Sequence, residues 1–125
     1  MLEGLRNYKL LRLDIIFLVF IATIVGAILR WQLQNDFLSN LTGAAILGFV
    51  LGLNFTPRFQ VIFAIGFCPS LTTFSGWIWD VMELIINGFL LRALGLLLST
   101  LIGGFLFLSL GFWSGKKMSH FFLPQ

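Results

Sequence analysis

The sequence predicts an all-α integral membrane protein, folded as a single domain of four transmembrane helices. Of its 125 residues, 58% are hydrophobic and only 10% are charged, whereas a soluble domain carries about 25% charged residues. The mean hydropathy is +0.99, so polar side chains are too few to cover the surface of so small a soluble domain. The apolar residues form long continuous runs rather than the short alternating segments of a membrane β-barrel, which favours helices.

The first predicted span covers residues 13–33 and follows three basic residues, Arg6, Lys9 and Arg12. Its apolar core has the composition of a signal peptide, but three further spans follow it. Arg30 and Trp31 close the span as an interfacial anchor does. We therefore interpret it as a retained transmembrane helix.

The second predicted span covers residues 38–55, and the fourth covers residues 89–113 and ends at Gly115-Lys116-Lys117. Small or polar residues recur at intervals of four along these spans. Close backbone approach through small residues is what joins helices in lipid, so these stripes are predicted to face protein and to carry Asn40, Ser99 and Arg30 inward. The stripes are Ala22, Gly26 and Arg30 in the first span, Asn40, Ala44, Gly48 and Gly52 in the second, and Gly95, Ser99, Gly103 and Gly111 in the fourth.

The third predicted span covers residues 59–86 and is expected to be broken at Cys68–Thr73. Pro69 lacks an N–H and disfavours helical geometry at Cys68, and Ser70, Thr72 or Thr73 can cap a new helix after the break. Broken helices in membranes build ion sites, with freed carbonyls for cations and helix N-termini for anions. The alternative interpretation is a simple proline kink, in which Ser and Thr hydroxyl groups form hydrogen bonds with the freed backbone groups.

Three motifs follow one another in the first three spans. They are Gly26-Ala27-Ile28-Leu29-Arg30-Trp31, then Asn40-Leu41-Thr42-Gly43 with Gly48, then Thr72-Thr73-Phe74-Ser75 with Asp80. Together they resemble the G-A-x-x-R-aromatic, N-x-x-G-x-x-x-x-G and T-T-F-S motifs of the CrcB/Fluc family of fluoride channels. The sequence departs from that family in four places: Ala22-Thr23 and Pro69-Ser70 each replace a glycine pair, Trp77 replaces a phenylalanine, and Gly95 replaces a tyrosine.

The resemblance implies a fluoride-specific ion channel of the cell (inner) membrane, which exports fluoride down its gradient and limits cytoplasmic fluoride toxicity. A pore must replace the water shell of this small anion with hydrogen-bond donors, which amide and hydroxyl groups supply. Aromatic rings add a positive edge, and Arg30 either draws anions to the pore or extends to the interface. The residues implied for the fluoride pore are Arg30, Asn40, Thr73, Phe74, Ser75, Trp77 and Ser99.

The resemblance also implies an antiparallel dimer with a structural sodium ion at its centre, bound by the backbone carbonyls of Pro69 and Thr72. A homodimer would need copies inserted both ways, but the charges of this chain are biased: six basic residues fall on one side and two on the other. This pattern predicts both termini in the cytoplasm, and therefore an oppositely oriented paralogous subunit, with a homodimer as the alternative. The six are Arg6, Lys9, Arg12, Arg58, Lys116 and Lys117, and the two are Arg30 and Arg92.

Other classes of protein fit the sequence less well than a channel or remain alternatives to it. A small multidrug-type exporter needs a carboxylate deep in its first span, whereas Asp14 lies only at the entrance. A non-conducting partner or regulatory subunit of a heterodimeric channel remains an alternative. No pattern typical of an enzyme is visible. The net charge of +3 is attributed to Lys and Arg residues at the membrane boundaries rather than to nucleic-acid binding. The sequence shows no basic stripe or aromatic platform of the kind that binds nucleic acid.

Overall fold

The computed structural model describes residues 2–53 and 55–122, and side chains within 13–53 and 55–121. Within these ranges the chain is helical, with no strand, and its third pass is interrupted, which confirms the predicted all-α fold with a broken third helix. The elements are α1 (Leu2–Leu33), α2 (Asp36–Gly52), α3 (Pro57–Val61), a π-helical segment (Ile62–Phe67), α4 (Cys68–Leu71), α5 (Ser75–Ile86) and α6 (Leu90–Phe122).

Three stretches of helix are long and apolar enough to cross a membrane, namely Leu13–Leu33, Pro57–Ile86 and Leu90–Phe121. The 17 residues of α2 form a shorter apolar helix, which lies at the lower limit of about 17 residues for a span. In the described part of the chain, many large apolar side chains are exposed, among them Phe20, Leu91 and Phe105. A surface of this kind is stable only against lipid, so the chain is a multi-pass membrane protein.

Tight turns join consecutive helices. Between α1 and α2 the backbone of Gln34 is left-handed, with φ 46°, and Asn35 caps α2 by accepting a hydrogen bond from the Leu38 N–H at 2.9 Å. Between α5 and α6, Gly88 has φ 79°, a conformation that glycine adopts without steric cost. These two short connections reverse the direction of the chain between α1 and α2 and between α5 and α6.

The α2 and α6 helices lie in close backbone contact through glycine. A Cβ atom at Gly48 would collide with the Leu108 carbonyl, and one at Gly111 would collide with the Ala45 carbonyl. The prediction that the small-residue stripes face protein is therefore confirmed at these two positions. At Gly95 nothing in the described part of the chain lies within 4 Å of an added Cβ, so the prediction stays untested there.

The α6 helix continues past Gly115, the predicted end of the fourth span, to Phe122. Gly115 lies against the backbone of α2, where a Cβ would collide with the Phe49 carbonyl. The glycine therefore serves helix contact rather than helix termination. The Lys117 ammonium lies 5.8 Å from the centroid of the Trp113 ring, an arrangement typical of a membrane interface.

The broken helix packs against α1. A Cβ at Gly26 would collide with the Ser70 hydroxyl and the Phe67 carbonyl, and a Cβ at Gly66 would lie 3.1 Å from the Ala22 Cβ. The small residues of the first span thus face protein, as predicted. This contact fixes the position of the broken helix just before its interruption.

The two C-terminal ends of α2 and α6 lie on the same side of the molecule. A Cβ at Gly52 would lie 2.8 Å from the backbone nitrogen of Lys116. Lys116 and Lys117 therefore lie beside the C-terminal end of α2, the end from which the chain continues towards Arg58. The side chains of Arg6, Lys9 and Arg12, which are predicted on the same side, lie outside the described ones.

Candidate functional site

The helix break lies at residues 72–74, at the C-terminal end of the predicted range. The α4 helix ends at Leu71, and Thr72 is extended, with φ −80° and ψ 159°. Cys68, where the sequence analysis expected helical geometry to fail, is helical, with φ −64° and ψ −43°. The break is therefore not made by Pro69.

A local change of helix type explains why Pro69 does not break the chain. The preceding segment is π-helical, and the Cys68 N–H donates to the Phe63 carbonyl, five residues back. This wider turn relieves the crowding between a proline ring and the preceding turn. Pro69 then stands in the first turn of α4, where its missing N–H costs nothing.

The break is held by Asn40 of α2. The Asn40 side-chain amide donates to the Thr73 carbonyl at 3.0 Å, and its oxygen accepts from the Thr73 N–H at 2.8 Å. The Asn40 side chain thereby satisfies both the N–H and the carbonyl of Thr73. Within a membrane, backbone groups that have lost their helical hydrogen bonds need such a partner. One N–H of the Asn40 amide remains for another partner.

This pairing frees the carbonyl of Pro69. In a continuous helix that oxygen would accept the N–H four residues later, which is the Thr73 N–H now taken by Asn40. The Thr72 carbonyl is freed in the same way, because the Gly76 N–H donates instead to Thr73 Oγ1 at 3.2 Å. Thr73 thus caps the start of α5, as predicted, and Pro69 accepts only a long 3.4 Å hydrogen bond from the Thr72 hydroxyl.

A polar cavity of about 400 Å³ opens beside the break. It is lined by Arg30 from the end of α1 and by Thr73 and Ser75 from the break, so three of the predicted pore residues meet here. Asp36 and Gly76 also line it. Asp36 was not among the predicted site residues, although its position between Arg30 and Asn40 in the chain was the available signal.

The two predicted aromatic residues lie side by side after the break. The ring centroids of Phe74 and Trp77 are 5.8 Å apart, with the ring planes tilted by 60°. Phe74 is 73% exposed on this chain, whereas Trp77 is buried. The Trp77 indole N–H has no hydrogen-bond partner among the residues described.

The α6 helix carries the predicted hydroxyl group of Ser99 and a second one, at Thr100, beside it. Ser99 is exposed and donates to the Leu96 carbonyl of its own helix at 3.1 Å. Thr100, which was not singled out, is buried and lines a second cavity, of about 480 Å³, together with Pro69 and Thr72. Thr100 also donates within its own helix, at 2.7 Å to Leu96.

These features define a class of protein: a small multi-pass helical membrane protein in which one helix is broken and polar groups gather at the break. Within that class, the chain belongs to the CrcB family. Residues 17–112 match the family described as CrcB-like protein, Camphor Resistance (CrcB).

Curated relatives agree with this assignment. The chain is 53% identical over 110 residues to the "Fluoride-specific ion channel FluC 1" of one strain of Prochlorococcus marinus, a match that covers 88% of this chain and 89% of that protein. It is 49% identical over 98 residues to the "Fluoride-specific ion channel FluC 2" of a second Prochlorococcus marinus strain, covering 78% and 79%. It is 35% identical over 111 residues to the "Fluoride-specific ion channel FluC" of Haemophilus ducreyi, covering 79% and 90%.

Proposed function

We propose that this protein is a fluoride-specific ion channel of the cell membrane, which lets fluoride leave down its gradient and so limits its toxicity in the cytoplasm. The observation that carries the proposal is the 53% identity, over 88% of this chain, to a relative named for that function. The polar break supports it, because Arg30, Thr73 and Ser75 gather in one cavity beside Asn40.

The donors at the break suit a small anion. Asn40 keeps one N–H that its pairing with Thr73 does not use. The buried N–H of Trp77 has no acceptor in the described part of the chain, and such a group costs about 1–3 kcal/mol unless something accepts its hydrogen bond. A passing fluoride ion is an acceptor of the right charge and size. The edges of the Phe74 and Trp77 rings add positive potential.

A second subunit completes the pore in this proposal. Phe74 is 73% exposed and Ser99 is exposed on α6, so two of the proposed pore residues face outward from this chain. An antiparallel dimer would enclose them. The partner is either a second copy or an oppositely oriented paralogue, and relatives named FluC 1 and FluC 2 are compatible with paired genes.

The break also suits a sodium ion at the centre of that dimer. Hard cations prefer oxygen ligands, and unwound carbonyls in membrane helices supply them. The carbonyls of Pro69 and Thr72 have both lost their helical donors, and both residues line the 480 Å³ cavity. In the proposed role, these two oxygens bind the ion, which joins the broken helices of the two subunits electrostatically.

The alternatives gain no support from the described residues. For a multidrug-type exporter, Asp14 would have to lie inside the bundle, but it is exposed at the start of the first span. For a non-conducting subunit, no described contact closes the break, and donors remain there at Asn40 and Trp77.

Growth of a fluoride-sensitive bacterium tests the proposal. A strain that lacks fluoride export, and that expresses this protein with any partner subunit it requires, should grow at fluoride concentrations that stop the parent strain. The same cells should gain no tolerance to cationic dyes, which an exporter would remove. Growth in dye without growth in fluoride would overturn the channel assignment.

A further inference from the structure

We propose that the Asp36 carboxylate is a resident counter-anion at the mouth of the fluoride pathway, where it competes with fluoride for the start of α5. This inference rests on the proposed function and concerns how that function is tuned. Asp36 is the first residue of α2, half-buried, and one of the residues that line the 400 Å³ cavity with Arg30, Thr73 and Ser75.

The position of the carboxylate is fixed by a contact with α5. Gly76, the second residue of α5, has Asp36 directly against it: a Cβ built there would collide with Asp36 Oδ2 and lie 2.8 Å from Asp36 Cγ. All three atoms nearest to that built Cβ belong to the Asp36 carboxylate. The absence of a side chain at Gly76 is thus what admits a negative charge to the first turn of α5.

The electrostatics of the cavity explain what the carboxylate does there. The Arg30 guanidinium and the positive end of α5 both attract anions. Asp36 is tethered beside them, so its effective concentration exceeds that of any free anion in dilute solution. A fluoride ion that enters through this cavity must therefore displace Asp36 or pass it against repulsion.

A carboxylate in the first turn of α2 also stabilises that helix through its dipole. This structural role and the proposed one predict opposite results. Loss of a purely structural group lowers stability and slows fluoride passage, whereas loss of a competing anion increases fluoride passage at low fluoride concentration.

Two variants remove the carboxylate from α5 by different means. Asp36→Asn deletes its charge and keeps its shape. Gly76→Ala keeps the charge but places a methyl group where the carboxylate lies, and the flexible Asp36 side chain must then move away. Asp14→Asn is the matched control, because it removes the same charge about 24 Å from Arg30 along α1.

Fluoride efflux from liposomes, measured against fluoride concentration with an ion-selective electrode, gives the result. We expect Asp36→Asn to lower the half-saturating fluoride concentration by at least about threefold, and Gly76→Ala to lower it in the same direction. The double variant should gain nothing beyond Asp36→Asn. The difference should shrink in about 1 M impermeant salt, where the Debye length is about 3 Å.

Failure of the proposed function and failure of this inference give different results. A parent protein that passes no fluoride removes the proposed function itself. A conducting parent whose half-saturating concentration is unchanged by both variants overturns this inference alone. Slower efflux and lower thermal stability in Asp36→Asn would overturn it too, in favour of the structural role.

Discussion

The side-chain amide of Asn40 forms two hydrogen bonds with the backbone of Thr73, which lies 33 positions later in the chain. One pairing thereby joins α2 to the break and leaves the Pro69 carbonyl without its helical donor. In the proposed channel, the residue that offers a donor to fluoride is therefore also the residue that holds the break open.

Changing Asn40 should impair fluoride passage strongly. Asn40→Asp replaces the donor to the Thr73 carbonyl with a negative oxygen, which repels both that carbonyl and fluoride. We expect fluoride efflux from liposomes to fall by at least about tenfold, equivalent to about 1.4 kcal/mol. The matched control is Asn87→Asp at the C-terminal cap of α5, which should leave efflux near the parent rate. Equal efflux from Asn40→Asp and the parent would place the pore elsewhere.

Changing Phe74 tests the role of the aromatic edge. Phe74→Ile keeps an apolar side chain of similar bulk and removes the positive ring edge. We expect the variant to assemble normally and to conduct fluoride several-fold more slowly, as seen by an ion-selective electrode. Phe20→Ile is the control, since Phe20 is also exposed but lies on α1. If the two variants conduct equally well, Phe74 only contacts lipid or a partner.

Changing Gly111 tests the helix contact rather than the pore. Gly111→Val places branched carbons against the Ala45 carbonyl, a backbone atom that cannot move aside. Overpacking of this kind costs about 1–3 kcal/mol, so thermal unfolding in detergent should occur at a clearly lower temperature. Gly95→Ala should unfold like the parent, because nothing lies within 4 Å of its added Cβ. Normal stability in Gly111→Val would contradict the close contact of α2 and α6.

The orientation of the chain can be measured directly. The charge bias predicts that both termini lie in the cytoplasm, so a C-terminal reporter that works only inside the cell should be active and one that works only outside should be silent. This fixed orientation would require an oppositely oriented partner to build an antiparallel dimer. Comparable activity from both reporters would mean dual insertion and would favour the homodimer.

The helices and part of their packing were predictable because both leave local signals. Long apolar runs predicted the membrane helices, and glycine at intervals of four predicted the contact at Gly48 and Gly111. Gly115 lies at the predicted end of the fourth span and admits the backbone of α2, and a glycine in that role looks the same in sequence as one that ends a helix. Only the position of Phe49 on α2 distinguishes the two.

The position of the break was not predictable in detail. Pro69 gave the strong local signal, but the π-helical turn before it absorbs the proline. The interruption at Thr72 depends on Asn40, a contact between distant parts of the chain that no local pattern records. Asp36 was missed for the same reason, because its significance lies in its contact with Gly76 on another helix.

Selective fluoride efflux from liposomes is the decisive measurement of whether this protein is a fluoride channel. Purified protein, with any partner subunit it requires, is reconstituted into liposomes loaded with fluoride or with chloride, and the ion released down its gradient is measured with the matching electrode. We expect rapid release of fluoride and retention of chloride. Equal release of the two ions, or release of neither, would contradict it.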